Sequence, residues 1–210
     1  MSIALLIAMN GTSWSGDCLP QDHENCRTTY SMPSASMMPS IFIGDNFSSD
    51  TQRFITHSPE LGDVVIFLLP TNSEIAYVKR IVGLPGDRVQ MRDGAIFING
   101  EVVKKVRVED FVDTAPNGEG GGHPIQQYQE TLPNGVTYRV LDEVPNGSAD
   151  NTIEYVVPPE HYFIMGDNRD NSEDSRFLDA VGYVPRDNII GKTTSIYFSW
   201  NFSRIGMKIE

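Results

Sequence analysis

Basic residues are scarce in this chain: sixteen Lys and Arg stand against 28 Asp and Glu, a formal net charge of −12. That balance argues against sequence-independent binding to nucleic acid, which relies on cations neutralising phosphates. Cysteine is scarcer still. Cys18 and Cys26 are the only two, with no CxxC and no further thiolates to complete a zinc site. They stand either as free thiols or as a disulfide, the latter only in an oxidising compartment. The four histidines, His23, His57, His123 and His161, are scattered without an HExxH, so no metal or cofactor is implied. Long apolar runs are missing as well. Ile3 to Met9 is apolar, but a spanning helix needs roughly 20 such residues, and Asn10-Gly11-Thr12-Ser13 follow at once. The run also lacks the basic flank of a signal peptide. It reads as the tail of a membrane anchor, a shallow interfacial segment or an ordinary first strand.

What remains is a 210-residue chain, 40% hydrophobic and 10% aromatic, enough for a packed globular core. Residues 10–30 are polar and turn-rich. From about Met32 onward, short apolar runs alternate with turn signals, the pattern of an all-β protein. Val64 to Leu69 is a buried-strand candidate that stops at Pro70, and Ile75 to Val82 is a second, closed by Gly83-Leu84-Pro85-Gly86. Asp93-Gly94 reads as a hairpin turn, Asn99-Gly100 as another turn, and Glu101 to Val108 as one further strand. Residues 117–122 (Asn-Gly-Glu-Gly-Gly-Gly) form a flexible tip. Tyr128 to Leu141 and Ile153 to Val157 read as strands of a smaller lobe, and Tyr162 to Met165 and Thr193 to Trp200 return to strong signals. The expected fold is mostly β: an antiparallel β-rich core with a small inserted β lobe. Its divisions are an irregular lead-in at 1–30, core at 31–100, inserted lobe at 101–157 and core again at 158–210.

Three segments carry chemistry. Pro33-Ser34-Ala35-Ser36-Met37-Met38-Pro39-Ser40 places two serines between prolines that fix the backbone; it reads as a Ser-rich turn or as a nucleophile loop. In Tyr77-Val78-Lys79-Arg80-Ile81, strand alternation puts Tyr77, Lys79 and Ile81 on one face and Val78 and Arg80 on the other. Lys79 then either snorkels to solvent or is desolvated, which favours its neutral form. Gly166 to Arg176 (GDNRDNSEDSR) is a solvated loop or a cation site, but it lacks the spacing of an EF-hand.

Together with Gly62-Asp63-Val64-Val65-Ile66-Phe67, these segments resemble the boxes of bacterial type I signal peptidases, in the family's order. The resemblance covers roughly Met32 to Arg92 and Tyr162 to Ile209, and the run from Gly166 to Arg176 is its most specific part. It implies Ser36 as nucleophile and Lys79 as general base, with an oxyanion hole from the Ser34 hydroxyl and the Ser36 N–H. Ser172 matches a residue that hydrogen-bonds the catalytic lysine, and Asp174 with Arg176 a supporting ion pair. Tyr30, Met32, Ile41, Tyr77 and Val78 fall where the family lines its shallow pockets for small side chains.

The activity so implied is a serine endopeptidase cutting signal peptides from exported preproteins after small-x-small motifs. A serine needs an adjacent base to accept its proton, and no histidine lies in any of these segments. A free lysine titrates near roughly 10.4 whereas a useful base sits nearer about 8, a gap of about 3.3 kcal/mol in differential solvation. The resemblance also implies a plasma-membrane location with the catalytic part on the periplasmic face. Substrates tethered in a membrane call for a docking surface, and the short apolar run Ile41-Phe42-Ile43 is the candidate. Family members carry a full anchor before the nucleophile, where this chain has Ile3 to Met9. Three other readings fit parts of the pattern: a conjugation-system maturation peptidase, a self-cleaving repressor, and a silent β-domain that binds exported peptides. No basic helix-turn-helix precedes Ser36 to support the repressor, and both Ser36 and Lys79 are present, against the silent domain.

Overall fold

The computed structural model describes residues 7–8, 27–112, 122–144 and 146–210. Cys18, Cys26, His23, most of the 1–30 lead-in and most of the glycine-rich tip lie outside the described residues. In chain order the strands are β1 (Ile7–Ala8), β2 (Arg27–Ser31), β3 (Asn46–Asp50), β4 (Val64–Leu69), β5 (Asn72–Gly83), β6 (Arg88–Arg92), β7 (Ala95–Ile98) and β8 (Glu101–Val102). There follow β9 (Lys104–Arg107), β10 (Phe111–Val112), β11 (Pro124–Thr131), β12 (Thr137–Asp142), β13 (Tyr155–Val156), β14 (His161–Met165), β15 (Val184–Pro185) and β16 (Ile189–Phe198). Among the described residues the one α-helix is a single turn, α1 (Arg53–Thr56). The fold is mostly β and its strand ladders are antiparallel, as the sequence pattern predicts.

Eight strands form one sheet in the order β1-β2-β3-β16-β4-β5-β14-β15. Val64 to Leu69 is apolar throughout because β4 is covered on both faces. Its run ends at Pro70, which has no N–H to give the ladder, and Leu69 pairs with Asn72 across the turn into β5. The β6–β7 turn is Asp93-Gly94, both at positive φ, and Asn99-Gly100 repeats that geometry before β8. Two left-handed residues in succession are what a tight hairpin of right-handed twist requires.

One strand differs from the expected plan. Glu101 to Val108 is two strands rather than one. Val103 turns its side chain into the core and its N–H to Ile96 O, so β8 stays with β7 while β9 joins β11. The segment expected as an inserted lobe is also tied closely to the rest. Its hairpin β11–β12 forms a small sheet with β9 and β10. Yet Leu132, Tyr138 and Val140 share one buried cluster with Val82, Val89, Phe163 and Met165. Leu141 in β12 forms a bridge with Asn168, takes a bond from Arg169 N at 3.0 Å and donates its own N–H to Asp167 O at 2.9 Å. The hairpin thereby clamps the backbone that follows β14.

Candidate active site

Ser36 lies in a compact turn between Pro33 and Pro39. Met38 N bonds to Ala35 O at 3.0 Å and Ile41 N to Met37 O at 2.9 Å, and the Ser36 carbonyl accepts from Asn168 N at 3.1 Å. The Ser36 turn is thus held by its own backbone and by the polar run after β14. Lys79 comes from β5, opposite Val65 of β4. Strand alternation sends Tyr77 and Ile81 into one apolar cluster with Phe67 and Ile164, and Val78 into another with Met32 and Ile41.

The structure brings Ser36 and Lys79 together. Lys79 Nζ is 2.8 Å from Ser36 Oγ and 3.1 Å from Val78 O. The two residues are 1% and 4% exposed, lysine first, and the Tyr77 ring lies 5.4 Å from Nζ. Burial pushes the Lys79 ammonium down to about 8, against the opposing pull of the Asp174 and Asp167 carboxylates. A lysine so placed is a mixture of charged and neutral forms near neutral pH. In the charged form it donates to Ser36 Oγ; in the neutral form its lone pair can accept the hydroxyl proton. The Ser34 hydroxyl also reaches Ser36 Oγ, at 3.2 Å.

Asp174 and Arg176 form a buried pair at 2.8 Å. Burial pushes the Asp174 carboxyl up, but the Arg176 guanidinium, with bonds from Gly166 N and Ser172 Oγ, holds it below the usual carboxylate range. Ser172 departs from its expected partner. Its hydroxyl donates to Asp174 Oδ2 at 2.8 Å rather than bonding Lys79, because an ionised carboxylate is the stronger acceptor. Its influence on Lys79 therefore runs through Asp174. Of the five expected pocket residues, Tyr30, Met32, Ile41 and Val78 meet in one buried cluster with Met37, next to Ser36. Tyr77 belongs to the cluster on the other face.

Several residues around this centre carry no role in the sequence reading. Arg80 grips Asp167 through Nε–Oδ1 and Nη2–Oδ2 contacts of 2.8 Å each, and Ser40 Oγ bonds Asp167 at 2.5 Å. Arg169 bonds Gly166 O at 3.1 Å and pairs with Glu130 of β11, both buried. Tyr138 donates to Glu130 at 2.9 Å and lays its ring 4.0 Å from the Arg80 guanidinium. Gly166 has no room for a side chain: a Cβ there meets Ser172 Oγ at 2.2 Å and Ser36 O at 2.5 Å. The alternation that turns Lys79 one way turns Arg80 the other, a signal that could have marked Arg80. Glu130 and Arg169 lie 39 residues apart, with no local pattern to join them. Among the described residues no cluster of His, Cys, Asp and Glu has metal-binding geometry.

The family model described as signal peptidase, peptidase S26, matches residues 26–200. A signal peptidase I from Pseudomonas fluorescens is 36% identical over 85% of this chain and 70% of its own length. A signal peptidase I from Rickettsia typhi is 39% identical over 70% of this chain. The chain spans about half of that relative's length, 55%. A solved signal peptidase I from Enterococcus faecalis V583 covers 65% of this chain and 97% of its own at 26% identity, with a TM-score of 0.38.

Proposed function

The chain belongs to the signal peptidase family, peptidase S26, and from that premise we propose that Ser36 and Lys79 are its catalytic pair. Kinship to signal peptidase I makes it a serine endopeptidase whose substrates are the signal peptides of exported preproteins. The finer reading is cleavage after a small-x-small motif. The observation that carries the catalytic assignment is the buried 2.8 Å contact between Lys79 Nζ and Ser36 Oγ.

In the proposed reaction the neutral Lys79 amine takes the Ser36 proton as Oγ attacks the scissile carbonyl. The oxyanion so formed is met by the Ser36 N–H and by the Ser34 hydroxyl, which turns from Ser36 Oγ to the new charge. Collapse breaks the C–N bond, and the Lys79 ammonium returns its proton to the leaving amine. An ester to Ser36 remains. Water then attacks it, giving a proton to Lys79, and the signal-peptide carboxylate departs as Ser36 regains its hydrogen. Asp174, held by Arg176 and Ser172, orients the field at Lys79 without touching substrate. The cluster of Tyr30, Met32, Ile41 and Val78, with Tyr77 behind Lys79, would limit the cleaved motif to small side chains. No cofactor enters any step.

Membrane docking is the second part of the proposal, with the catalytic part on the periplasmic face of the inner membrane. No helix among the described residues is long and apolar enough to cross a membrane. What supports docking is an exposed apolar surface: Trp200 is 63% and Phe202 73% exposed, with Ile43, Ile205 and Met207 also open. Large exposed apolar patches of this kind mark interaction sites. Ile41, expected to belong to this surface, is fully buried, so Trp200 and Phe202 replace it.

The deciding experiment offers the chain a peptide with an Ala-x-Ala site, beside Ser36→Ala and Lys79→Ala. Cleavage after the second Ala, lost in both variants, is expected. Cleavage that survives Ser36→Ala in homogeneous protein overturns the nucleophile assignment. No cleavage by the parent chain in detergent or lipid shifts the reading to a silent peptide-binding domain.

A further inference from the structure

Residues 188–209 contain Lys192, Arg204 and Lys208 and not one acid, in a chain with 28 acidic residues. The same stretch carries Trp200, Phe202 and Met207 of the exposed apolar surface. Where it meets the hairpin β11–β12 and the turn after Ser36, the surface opens into a cavity of about 400 Å³. Its walls include Phe42, Gln127, Arg139, Arg204 and Lys208, with Glu210 as the acid among its lining residues. The Phe111 ring packs edge-on to Phe42 at 5.6 Å, closing the side next to β10.

The polar groups of this cavity are arranged for an anion. Gln127 is 3% exposed, yet its side-chain Nε2 has no acceptor among the described residues. A buried donor without a protein partner is rare in folded proteins and is met by water, an ion or a ligand group. Arg139 and Lys208 are exposed and form no ion pair among the described residues. Arg204 is already paired with Asp45, so Arg139 and Lys208 supply the free charge, against Glu210.

We propose that this cavity binds the phosphate headgroup of an anionic phospholipid. The phosphate oxygens take the Gln127 N–H at the base and the Arg139 and Lys208 cations at the rim, while the acyl chains lie along Met207, Trp200 and Phe202. A protein of net charge −12 is repelled by an anionic membrane as a whole, and this face, where Arg139 and Lys208 outnumber Glu210, is where the repulsion reverses. The inference rests on the membrane-docking reading and gives it a lipid preference and an orientation.

The test is binding of the chain to vesicles of phosphatidylcholine, with and without phosphatidylglycerol. Four proteins are compared: the parent, R139Q/K208Q, Q127L and W200A/F202A. The parent is expected to prefer the anionic vesicles at least tenfold, each cation contributing about fivefold. R139Q/K208Q loses that preference but binds phosphatidylcholine as the parent does and cleaves peptide unchanged. Q127L weakens the preference at constant charge, which a diffuse surface attraction would not show. W200A/F202A falls on both vesicles alike. Equal binding of the parent to both vesicles overturns the headgroup site and leaves apolar docking standing; no binding to either overturns both. A preference untouched by R139Q/K208Q and Q127L places the anion elsewhere and also overturns the site. Thermal stabilisation by inorganic phosphate alone, lost in Q127L, overturns lipid as the occupant.

Discussion

Arg80 and Asp167 are joined by two buried contacts of 2.8 Å, each residue one step along the chain from the proposed centre. Arg80 follows Lys79 in β5, and Asp167 follows Gly166 after β14. The pair therefore pins the strand that carries Lys79 to the backbone that holds the Ser36 turn, Asn168 N to Ser36 O.

Removing one member of this pair strands the other charge in the interior. Arg80→Ala is expected to destabilise the fold by about 3–5 kcal/mol, measured by urea unfolding. Arg80→Lys should recover little, because an ammonium cannot bridge both carboxylate oxygens. Parent-like stability in Arg80→Ala would show that the fork is dispensable.

The pH dependence of cleavage follows from Lys79. Its ammonium titrates at about 8, and only the neutral amine accepts a proton, so kcat/KM rises with pH and levels above that value. Asp174 pulls the titration upward and Arg176 downward. In Asp174→Asn the anion is gone and the cation remains, so the rising limb moves to lower pH, with a lower plateau from the disturbed site. A limb that stays in place would separate Asp174 from Lys79.

Burying a lysine that the fold must partly neutralise is costly. Its folded value lies below its ordinary 10.5, so stability rises with pH between about 8 and 10.5, where the unfolded chain holds the proton and the folded one does not. Below about 8 the whole cost, about 3 kcal/mol, is present. Lys79→Met is therefore expected to abolish cleavage while raising stability at pH 7 by about 1–3 kcal/mol. The gain should shrink as pH approaches 10, and a loss of stability at pH 7 would contradict the burial argument.

Gly166→Ala tests the packing around Ser172. The new methyl group meets Ser172 Oγ and Ser36 O far inside contact distance, so the Ser36 carbonyl or the Ser172 hydroxyl that bonds Asp174 must move. A loss of about 1–3 kcal/mol is expected, together with a fall in kcat larger than any change in KM. Unchanged kinetics would mean that the turn absorbs the methyl group elsewhere.

Much of this arrangement is legible in the sequence where the determinants are local. The Asp93-Gly94 turn and the alternating faces of Tyr77 to Ile81 need only neighbours to be read. The meeting of Ser36 with Lys79, 43 residues apart, is legible only through family resemblance, since nothing in either segment points to the other. The break at Val103 is hidden because no Gly, Pro or Asn marks it; the core's demand for that side chain bends the strand. Glu130 looks like a solvent-facing residue of an alternating strand, and only the folded hairpin turns it toward Arg169. Resemblance places Ser172 beside Lys79 by position alone, while the stronger acceptor two residues on decides where its proton points.

The place of β16 in the central sheet sets how the two parts of the centre are joined. β2 and β3, which flank the Ser36 turn, lie on one side of it, and β4 with β5, the strand of Lys79, on the other. Its ladders run to β3 through Phe47 and Ser49 and to β4 through Val65 and Phe67. Two segments that never share a ladder, one with the serine and one with the lysine, thus take their spacing from a third strand that carries neither.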